Sequence, residues 1–359
     1  MSDFRKVMNN EIWQQLLSLE NRDITHQRFK RIHSRELKAR RAREINAAAK
    51  QSREYFRNAS NSNYSVRPLL TFYGVASLSR SLLLLLKARG GEEGLTASHG
   101  LETVRWSDIM SGDIAAGLQG LRNLKIRTRS GLFSDFVTHT NNRISIHVNS
   151  SGVDWRLSYD VPNLGQEFSV DDLFSRTPDL QKDYSNISEV TKYASINQMT
   201  YSADAGFSAK VRAKPFSLFQ DVYEGFGYTV ESNSDWVTLT CDADTFARNL
   251  PMFIHTYIHK TFGSIPSLHI TEPFSPSTRY SQLCITYMIS YVLGMLVRYY
   301  PTHWISLIQG DKGDSLWPTM NRAQQLVEQS FPELVTELIS DILNECDSKR
   351  VQDEDSNDA

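Results

Sequence analysis

Residues 65–86 read SVRPLLTFYGVASLSRSLLLLL, and this stretch decides how the rest of the chain must fold. Pro68 suits the first turn of a helix, and the run continues to Arg89 with no helix breaker except Gly74. The five leucines from Leu82 to Leu86 occupy every side of such a helix. Because a helix that is apolar all round must be covered on all sides, we expect this helix at the centre of the core.

A second apolar run lies between Arg279 and Arg298, where residues 281–297 carry no charge. Its length is at the lower limit for crossing about 30 Å of hydrocarbon, and it contains several hydroxyl and amide side chains. The run therefore predicts a buried helix and no membrane partner. The N-terminal residues MSDFRKVMNN lack the apolar core of a signal peptide, so we expect a cytoplasmic protein.

Strands are predicted in the middle of the chain and helices at both ends. The strand-like runs alternate in polarity or are rich in β-branched residues: LKIRTRSGLF (124–133), NRISIHVN (142–149), DWRLSYDV (154–161), AKVRAKP (209–215), FGYTVES (226–232), SDWVTLTCD (234–242) and, as an edge strand, SLHITEPF (267–274). We therefore expect an α+β protein, with a helical bundle formed from N- and C-terminal helices and an inserted mainly-β region.

This pattern divides the chain into five parts. We predict N-terminal helices with a basic arm over 1–64, a helical segment that packs with the C-terminal bundle over 65–125, a mainly-β insertion over 126–274, C-terminal helices over 275–346, and a disordered tail over 347–359. Within these parts, 35–59 should form one long helix, and 321–331 and 332–346 two further helices.

The charge of the chain is unevenly distributed. Residues 28–57 contain eleven Lys or Arg and three Glu, so this arm carries +8 while the whole chain carries −2. A basic arm on an acidic body suits RNA or another polyanion, and Arg35, Lys38, Arg40, Arg41 and Arg43 are the predicted nucleic-acid ligands. The alternative is a solvated helix face whose arginines pair with acidic residues of the body.

Common cofactor and metal motifs are missing from the sequence. The three cysteines, Cys241, Cys284 and Cys346, have no zinc-ligand spacing, and the glycine patterns of nucleotide-binding loops do not occur. His255 and His259 share a predicted helix face, but no third ligand is evident. We therefore expect no cofactor and no metal.

Four sequence pieces carry a family resemblance: SVRPLLTFYGVASLSRSLLLLL (65–86), HGL (99–101), VDDLFSRTPDL (170–180) and YMISYVLGMLVRYYPTHW (287–304). Together, and in this order, they resemble the YaaC family of bacterial proteins over about residues 45–345. The family's final segment is similar to the HEPN superfamily of helical domains, so the resemblance implies a HEPN-like bundle. It also implies a setting in mobile or antiviral gene clusters.

Many HEPN proteins are metal-independent ribonucleases with an Arg and a His separated by four to six residues, which here would be Arg298 and His303. An imidazole has a suitable pKa to take a proton from a 2′-hydroxyl, and a guanidinium can hold the phosphate in a bidentate fashion. In the structural alternative, Arg298 offsets the negative C-terminal end of the apolar helix. Pro301 then starts the next helix, and Trp304 is buried in the core.

Arg67, Arg80 and His99 are further candidates for the same cleft. Each has a structural alternative: the two arginines can pair with buried carboxylates, and His99 can follow a helix cap at Ser98.

Two functions are consistent with the sequence. One is a HEPN-like protein that binds or cleaves RNA, as a toxin or antiviral defence effector. The other is a non-catalytic scaffold subunit of a bacterial defence complex. A homodimer, or a heteromeric complex, is expected because the apolar helix 283–297 must be covered on several sides and HEPN domains commonly pair through this region.

Overall fold

The fold was obtained as a computed structural model, which describes residues 11–144, 157–212, 220–249 and 269–357. Residues 11–16 are helical, and thirteen further helices are labelled here in chain order. They are α1 (Arg22–His33), α2 (Ala39–Asn61), α3 (Arg67–Leu86), α4 (Trp106–Met110), α5 (Ile114–Gly120), α6 (Leu132–His139), α7 (Val170–Phe174), α8 (Gln181–Tyr184), α9 (Gln220–Gly225), α10 (Ala243–Asn249), α11 (Gln282–Tyr299), α12 (Pro301–Gln309) and α13 (Trp317–Asn357).

The described strands form two antiparallel sheets. They are β1 (His99–Val104), β2 (Lys125–Gly131), β3 (Glu167–Ser169), β4 (Tyr193–Ser202), β5 (Gly206–Arg212), β6 (Thr229–Asn233), β7 (Trp236–Cys241) and β8 (His269–Thr271). The first sheet has the order β1-β2-β3, and the second has the order β6-β7-β5-β4-β8. The protein is therefore α+β, as the sequence predicts.

Helix α3 lies at the centre of the larger core, packed against α2, α11 and α13. The leucine-rich helix therefore contacts two of the C-terminal helices. Two glycines allow the close contacts: a Cβ on Gly74 would lie 2.7 Å from the ring of Phe56, and one on Gly294 would lie 2.7 Å from Cβ of Phe72. Helix α11 is buried along its whole apolar length, from Gln282 to Val297.

The second sheet has a separate hydrophobic core. Its inner face carries Phe207, Ala209 and Val211 of β5, and Phe246 of α10 stacks on Phe207 with ring centroids 4.0 Å apart. This core is distinct from the one around α3 and α11. The described residues thus contain two main cores rather than one.

Most of the predicted strands that fall on described residues are confirmed. β2 and β7 lie within predicted runs, β5 and β6 overlap two others, and β8 is an edge strand as expected. Of the runs at 142–149 and 154–161, residues 145–156 lie outside the described part, and the described ends form only an isolated bridge between Arg143 and Ser158. The sequence analysis missed three strands, β1, β3 and β4.

Helix boundaries differ from prediction at two places. The basic helix predicted over 35–59 begins only at Ala39, because Ser34 adopts a left-handed conformation (φ 52°) that ends α1, and an extended linker follows. Near the C-terminus a single helix replaces two helices and a disordered tail. Pro332 lies inside α13, which continues to Asn357.

Among the described residues, α3 alone has the length and hydropathy of a membrane span as a single helix, and α11 with α12 would qualify only as a bent pair. Most of α3 is buried inside the protein. It therefore behaves as a core helix, as predicted for the apolar runs.

Candidate functional site

An open cleft of about 610 Å³ lies between the α2–α3 hairpin and the segment that leads into β1. Helix α2 contributes Gln51 and Tyr55, and α3 contributes Tyr73, Ser77 and Arg80. The remaining wall is formed mainly by residues 95–99 and by the exposed side chain of Glu92. We call this hollow the His99 cleft.

The polar side of α3 faces this cleft. Tyr73, Ser77 and Arg80 are spaced by four and three residues, so they lie on one face of the helix. The Ser77 hydroxyl lies 3.2 Å from Oε1 of Gln51, and the rings of Tyr55 and Tyr73 are 5.6 Å apart. Two helices therefore hold a pair of tyrosines beside a cationic side chain.

His99 is positioned where the paired strands β1 and β2 approach each other closely. Gly100 and Gly131 meet so closely that a Cβ on Gly131 would lie 2.4 Å from the Gly100 nitrogen, and Gly100 has a φ of +77°. The Leu132 amide donates to the Ser98 carbonyl at 2.8 Å, which fixes the chain just before His99. The imidazole packs edge-on against Phe72, with ring centroids 5.1 Å apart.

Two guanidinium groups are near enough to His99 to act on it electrostatically. Arg298, at the end of α11, is exposed and donates from Nη1 to the Tyr73 hydroxyl at 3.3 Å. Arg80 is also exposed, and it forms no ion pair within the described part of the chain. The structure thus brings the candidates Arg80, His99 and Arg298 together.

The surroundings of His99 disfavour its protonated form. Burial lowers the pKa of His99 below its ordinary value, and the charges of Arg298 and Arg80 lower it further. An unprotonated imidazole can accept a proton, and the nearby cations can hold an anion. No hydrogen bond to either ring nitrogen of His99 is formed by a described residue, so the ring is available to a ligand.

His303 lies elsewhere. The chain bends by 103° between α11 and α12, and His303 is only 8% exposed. Its ring packs on α5, where a Cβ on Gly117 would lie 2.7 Å from Nε2. Burial lowers the pKa of His303, and Nε2 has no hydrogen-bond partner among the described residues. Arg298 and His303 therefore contact different neighbours in this structure.

The segment that follows Arg298 has the contacts expected if Arg298 and His303 are structural rather than catalytic. Pro301 is the first residue of α12, and Trp304 and Leu307 are buried. The indole nitrogen of Trp304 donates to the Tyr64 carbonyl at 2.7 Å. These contacts explain a proline and a tryptophan at this position without any catalytic role.

Arg67 is paired away from the cleft. Its Nε donates to Oε1 of Glu328 at 2.7 Å, its Nη2 contacts the other carboxylate oxygen, and Thr71 donates to the same carboxylate at 3.0 Å. The pair joins α3 to α13 and raises the pKa of Arg67. Arg67 therefore pairs with a carboxylate, which is the structural alternative given for this residue in the sequence analysis.

The basic arm divides into exposed and buried members. Arg35, Lys38 and Arg40 are exposed around a second hollow of about 490 Å³ that also contains Glu44 and Glu93. Arg40 donates to both carboxylates, at 2.8 Å and 3.2 Å.

Two members of the arm do not belong to that exposed set. Arg41 is buried and donates to the carbonyls of Leu84 and Lys87 at the end of α3, so it is not available to a polyanion in this structure. Arg43 is exposed and does not line the hollow.

Sequence reasoning did not identify Tyr55 and Tyr73 as site residues. A signal for Tyr73 was present, since Tyr73, Ser77 and Arg80 have the spacing that places three polar side chains on one face of a helix. No comparable signal marks Tyr55, because only the packing of α2 on α3 brings it to the cleft. His255 and His259 lie outside the described residues, and no cluster of three potential metal ligands occurs among those that are described.

Comparison with known proteins identifies the family. The family model described as YaaC-like protein matches residues 10–339, which is most of the chain and includes every residue of the His99 cleft. No curated protein and no solved structure matches the chain. This protein belongs to the YaaC-like family.

Proposed function

We propose that this protein binds single-stranded RNA in the His99 cleft and cleaves it without a metal ion. The observation that carries the proposal is that His99 and the exposed Arg80 line one cleft, and that the exposed Arg298 donates to the hydroxyl of Tyr73 in the wall of the same cleft. In this proposal the protein is a HEPN-like toxin or antiviral defence effector, which is the role implied by its resemblance to that superfamily.

In this proposal Arg80 and Arg298 bind the phosphate. Within the described part of the chain neither Arg80 nor Arg298 forms an ion pair, and Arg298 donates a hydrogen bond to the Tyr73 hydroxyl. Both guanidinium groups can therefore turn to a phosphate without breaking an existing ion pair. An arginine can hold two phosphate oxygens at once, which fixes the orientation of the backbone as well as its position.

The tyrosines favour a single strand over a duplex. The rings of Tyr55 and Tyr73 are part of the cleft wall and are only half-buried. Unpaired bases can stack on such rings, whereas the bases of a duplex are already stacked on each other. A ligand with both bases and phosphates would use the tyrosines and the arginines together.

The cleavage step follows from the chemistry of the three groups. His99 takes the proton from a ribose 2′-hydroxyl, and the 2′-oxygen then attacks the adjacent phosphorus. The bond from phosphorus to the 5′-oxygen breaks, that oxygen takes a proton from water, and a 2′,3′-cyclic phosphate remains. The guanidinium groups of Arg80 and Arg298 offset the negative charge that builds up on the phosphate oxygens.

This assignment gives the role of base to His99, whereas the sequence resemblance gives it to His303. His303 would need the contact between α5 and α12 to open before it met a substrate, because its ring packs on Gly117. His99 already lies in an open cleft beside Arg298.

Binding is tested with a fluorescent single-stranded RNA and the variants Arg80→Gln and Arg298→Gln. We expect each to weaken binding by about tenfold and to reduce the slope of log K against log salt by about one. Arg129→Gln, another exposed arginine, is the matched control and should leave affinity unchanged. Equal affinity in all four proteins would reject the cleft as the RNA site.

Cleavage is tested in the presence of a chelator, with detection of the cyclic phosphate. His99→Gln should lower the rate by roughly 10²–10⁴-fold, which is the usual contribution of a positioned base. His303→Gln should keep the parental rate if it still folds, as checked by its melting temperature. Loss of cleavage only in a well-folded His303→Gln would return the role of base to His303.

A non-catalytic scaffold is the second candidate, and the burial of His303 favours it. In that case the parent would bind single-stranded RNA no more tightly than the cleft variants do, and no protein in the series would release a cyclic phosphate. The binding and cleavage experiments together therefore separate a protein-interaction scaffold from a nuclease.

A further inference from the structure

In the part of the chain that the structure describes, the second sheet has one face covered by helices and one face on which no helix packs, called here the open face. Along β5, Phe207, Ala209 and Val211 are buried, and the residues between them are not. Helices α9 and α10 pack on the covered side through Tyr223 and Phe246, which belong to the second core. The alternate residues of β4 to β7 therefore form the open face, since neighbouring side chains of a strand point to opposite sides.

The strand register arranges this open face in rows. Thr200, Ser208, Thr240 and Thr229 are paired across four strands in one row. Gln198, Lys210, Thr238 and Glu231 form the next row, and Arg212, Trp236 and Asn233 the third. The face is thus a layer of hydroxyl and amide groups, with its cations gathered near one corner.

The corner is formed by Trp236 and two cations. The guanidinium of Arg212 lies 4.5 Å from the centre of the Trp236 ring, and Nζ of Lys210 lies 5.4 Å from it. Arg212 is exposed, and the other two side chains are half-buried. An indole with two adjacent cations offers a stacking surface for a base and two ligands for the neighbouring phosphates.

We propose that this open sheet face is a second RNA-binding surface, on which a single strand stacks a base on Trp236 and places phosphates at Lys210 and Arg212. The inference rests on the proposed RNA-binding function, and it extends the RNA contact from the His99 cleft to the second sheet. In this proposal the His99 cleft cleaves the RNA backbone, and the open sheet face binds a part of the same RNA farther from the cleavage site.

Charge and polarity favour RNA over another protein as the occupant. A docking face for a protein usually has an apolar centre, whereas this face has hydroxyl and amide groups at its centre. Its basic corner attracts phosphate, and the one carboxylate in these rows, Glu231, lies on the edge strand β6. The hydroxyl and amide rows can accept and donate hydrogen bonds to unpaired bases and to the 2′-hydroxyl.

The test compares two RNA lengths in the full-length protein. One RNA of about 30 nucleotides can reach both surfaces, and one of about six nucleotides is limited to a single site, given site sizes of roughly 4–16 nucleotides for single-strand binders. Trp236→Ala and the double variant Lys210→Gln/Arg212→Gln should each weaken binding of the long RNA by about tenfold. Both should leave cleavage of the short RNA unchanged.

Matched variants guard against loss of folding. Trp236→Phe retains a ring and should keep most of the affinity, and Arg248→Gln removes an exposed cation from α10, on the covered side of the sheet, and should have no effect. Each variant is first compared with the parent by thermal melting. A drop in affinity that tracks the melting temperature across the series would overturn the proposal.

The outcomes distinguish this inference from the cleft proposal. Unchanged affinity of the long RNA in both sheet variants rejects the sheet surface, whatever the cleft variants do. If the sheet variants lose affinity and Arg80→Gln and Arg298→Gln do not, the sheet surface stands and the cleft is rejected. If the parent protein binds neither RNA, both proposals are wrong.

Discussion

At Gly294, a hydrogen atom in place of a side chain lets α11 rest directly on α3. A Cβ there would lie 2.7 Å from Cβ and 3.1 Å from Cγ of Phe72, which is itself fully buried. Because Phe72 is enclosed by Tyr287 and Tyr291, it has little room to move away. We predict that Gly294→Ala lowers the free energy of unfolding by about 1–3 kcal/mol, the usual effect of overpacking a core.

The matched control for this substitution is Gly112→Ala. A Cβ at Gly112 meets no atom within 4 Å, and its backbone does not require glycine. Urea unfolding of the three proteins gives the comparison, and we expect the control to be within about 0.5 kcal/mol of the parent. A Gly294→Ala protein as stable as the parent would show that the two helices can move apart at no cost.

The second prediction at the residue scale concerns the charge of His99. Burial and the two neighbouring cations disfavour the imidazolium, so the pKa of His99 lies below its ordinary value. Removing one cation with Arg298→Gln should raise this pKa, which NMR titration of the imidazole protons measures directly. Arg129→Gln should leave it unchanged, and so serves as the control.

The same shift sets the pH dependence of the proposed cleavage. A base must be unprotonated, so activity should persist below the ordinary histidine pKa of about 6.5 and fall only as the pH passes through the lower pKa of His99. In Arg298→Gln the residual activity should fall at a higher pH. An identical acidic limb in the two proteins would argue against His99 as the base.

At the scale of elements, Arg41 fastens the end of α3 to α2. Its Nε and Nη2 donate to the Leu84 carbonyl at 2.9 and 2.7 Å, and Nη2 also contacts the Lys87 carbonyl. These are carbonyls that the end of a helix leaves without intrahelical partners. One basic residue of the arm therefore caps the C-terminal end of α3.

We predict that Arg41→Gln lowers the free energy of unfolding by about 1.5–3 kcal/mol, because hydrogen bonds from a charged donor are lost and the carbonyls stay buried. Arg43→Gln, two residues further along the same helix and exposed, should change stability by less than about 0.5 kcal/mol. Chemical denaturation of both variants measures the difference. Equal stabilities would mean that water replaces the guanidinium at the end of α3.

At the scale of the whole molecule, the two cores should respond separately to mutation. Leu239 is fully buried in the second core, and Leu83 is fully buried in the first. We predict that each leucine-to-alanine change costs about 2–5 kcal/mol and lowers only the thermal transition of its own core. Calorimetry of the two variants tests this, and a single transition that moves equally in both would show one cooperative unit.

The dimer predicted from the apolar helix remains a prediction, but its original reason no longer applies. Within one chain α11 is covered by α3, α6, α7 and α13, and its residues from Gln282 to Val297 are all buried. A dimer would therefore have to form through another surface. Light scattering at micromolar concentration separates a 41.0 kDa monomer from a dimer of twice that mass.

The sequence by itself determined the elements whose residues carry a local signal. Pro68 and the leucine run specify α3, and alternation specifies β2, β5 and β7, because periodicity reports which face of an element will be buried. The strand β4 was missed, although it pairs with β5 over most of its length. Its alternation is interrupted at a register shift between Ile196 and Gln198, where the adjacent residues Asn197 and Gln198 are both exposed.

Only the tertiary structure decided which candidate residues meet. Arg298 and His303 are five residues apart in sequence, yet the bend between α11 and α12 sends one to the cleft and the other to α5. His99 is almost two hundred residues from Arg298 in sequence, yet its ring packs against Phe72 of α3 and Tyr291 of α11, and the charge of Arg298 acts on it. The periodicity of the sequence cannot predict which distant residues become neighbours, since that depends on how the helices pack.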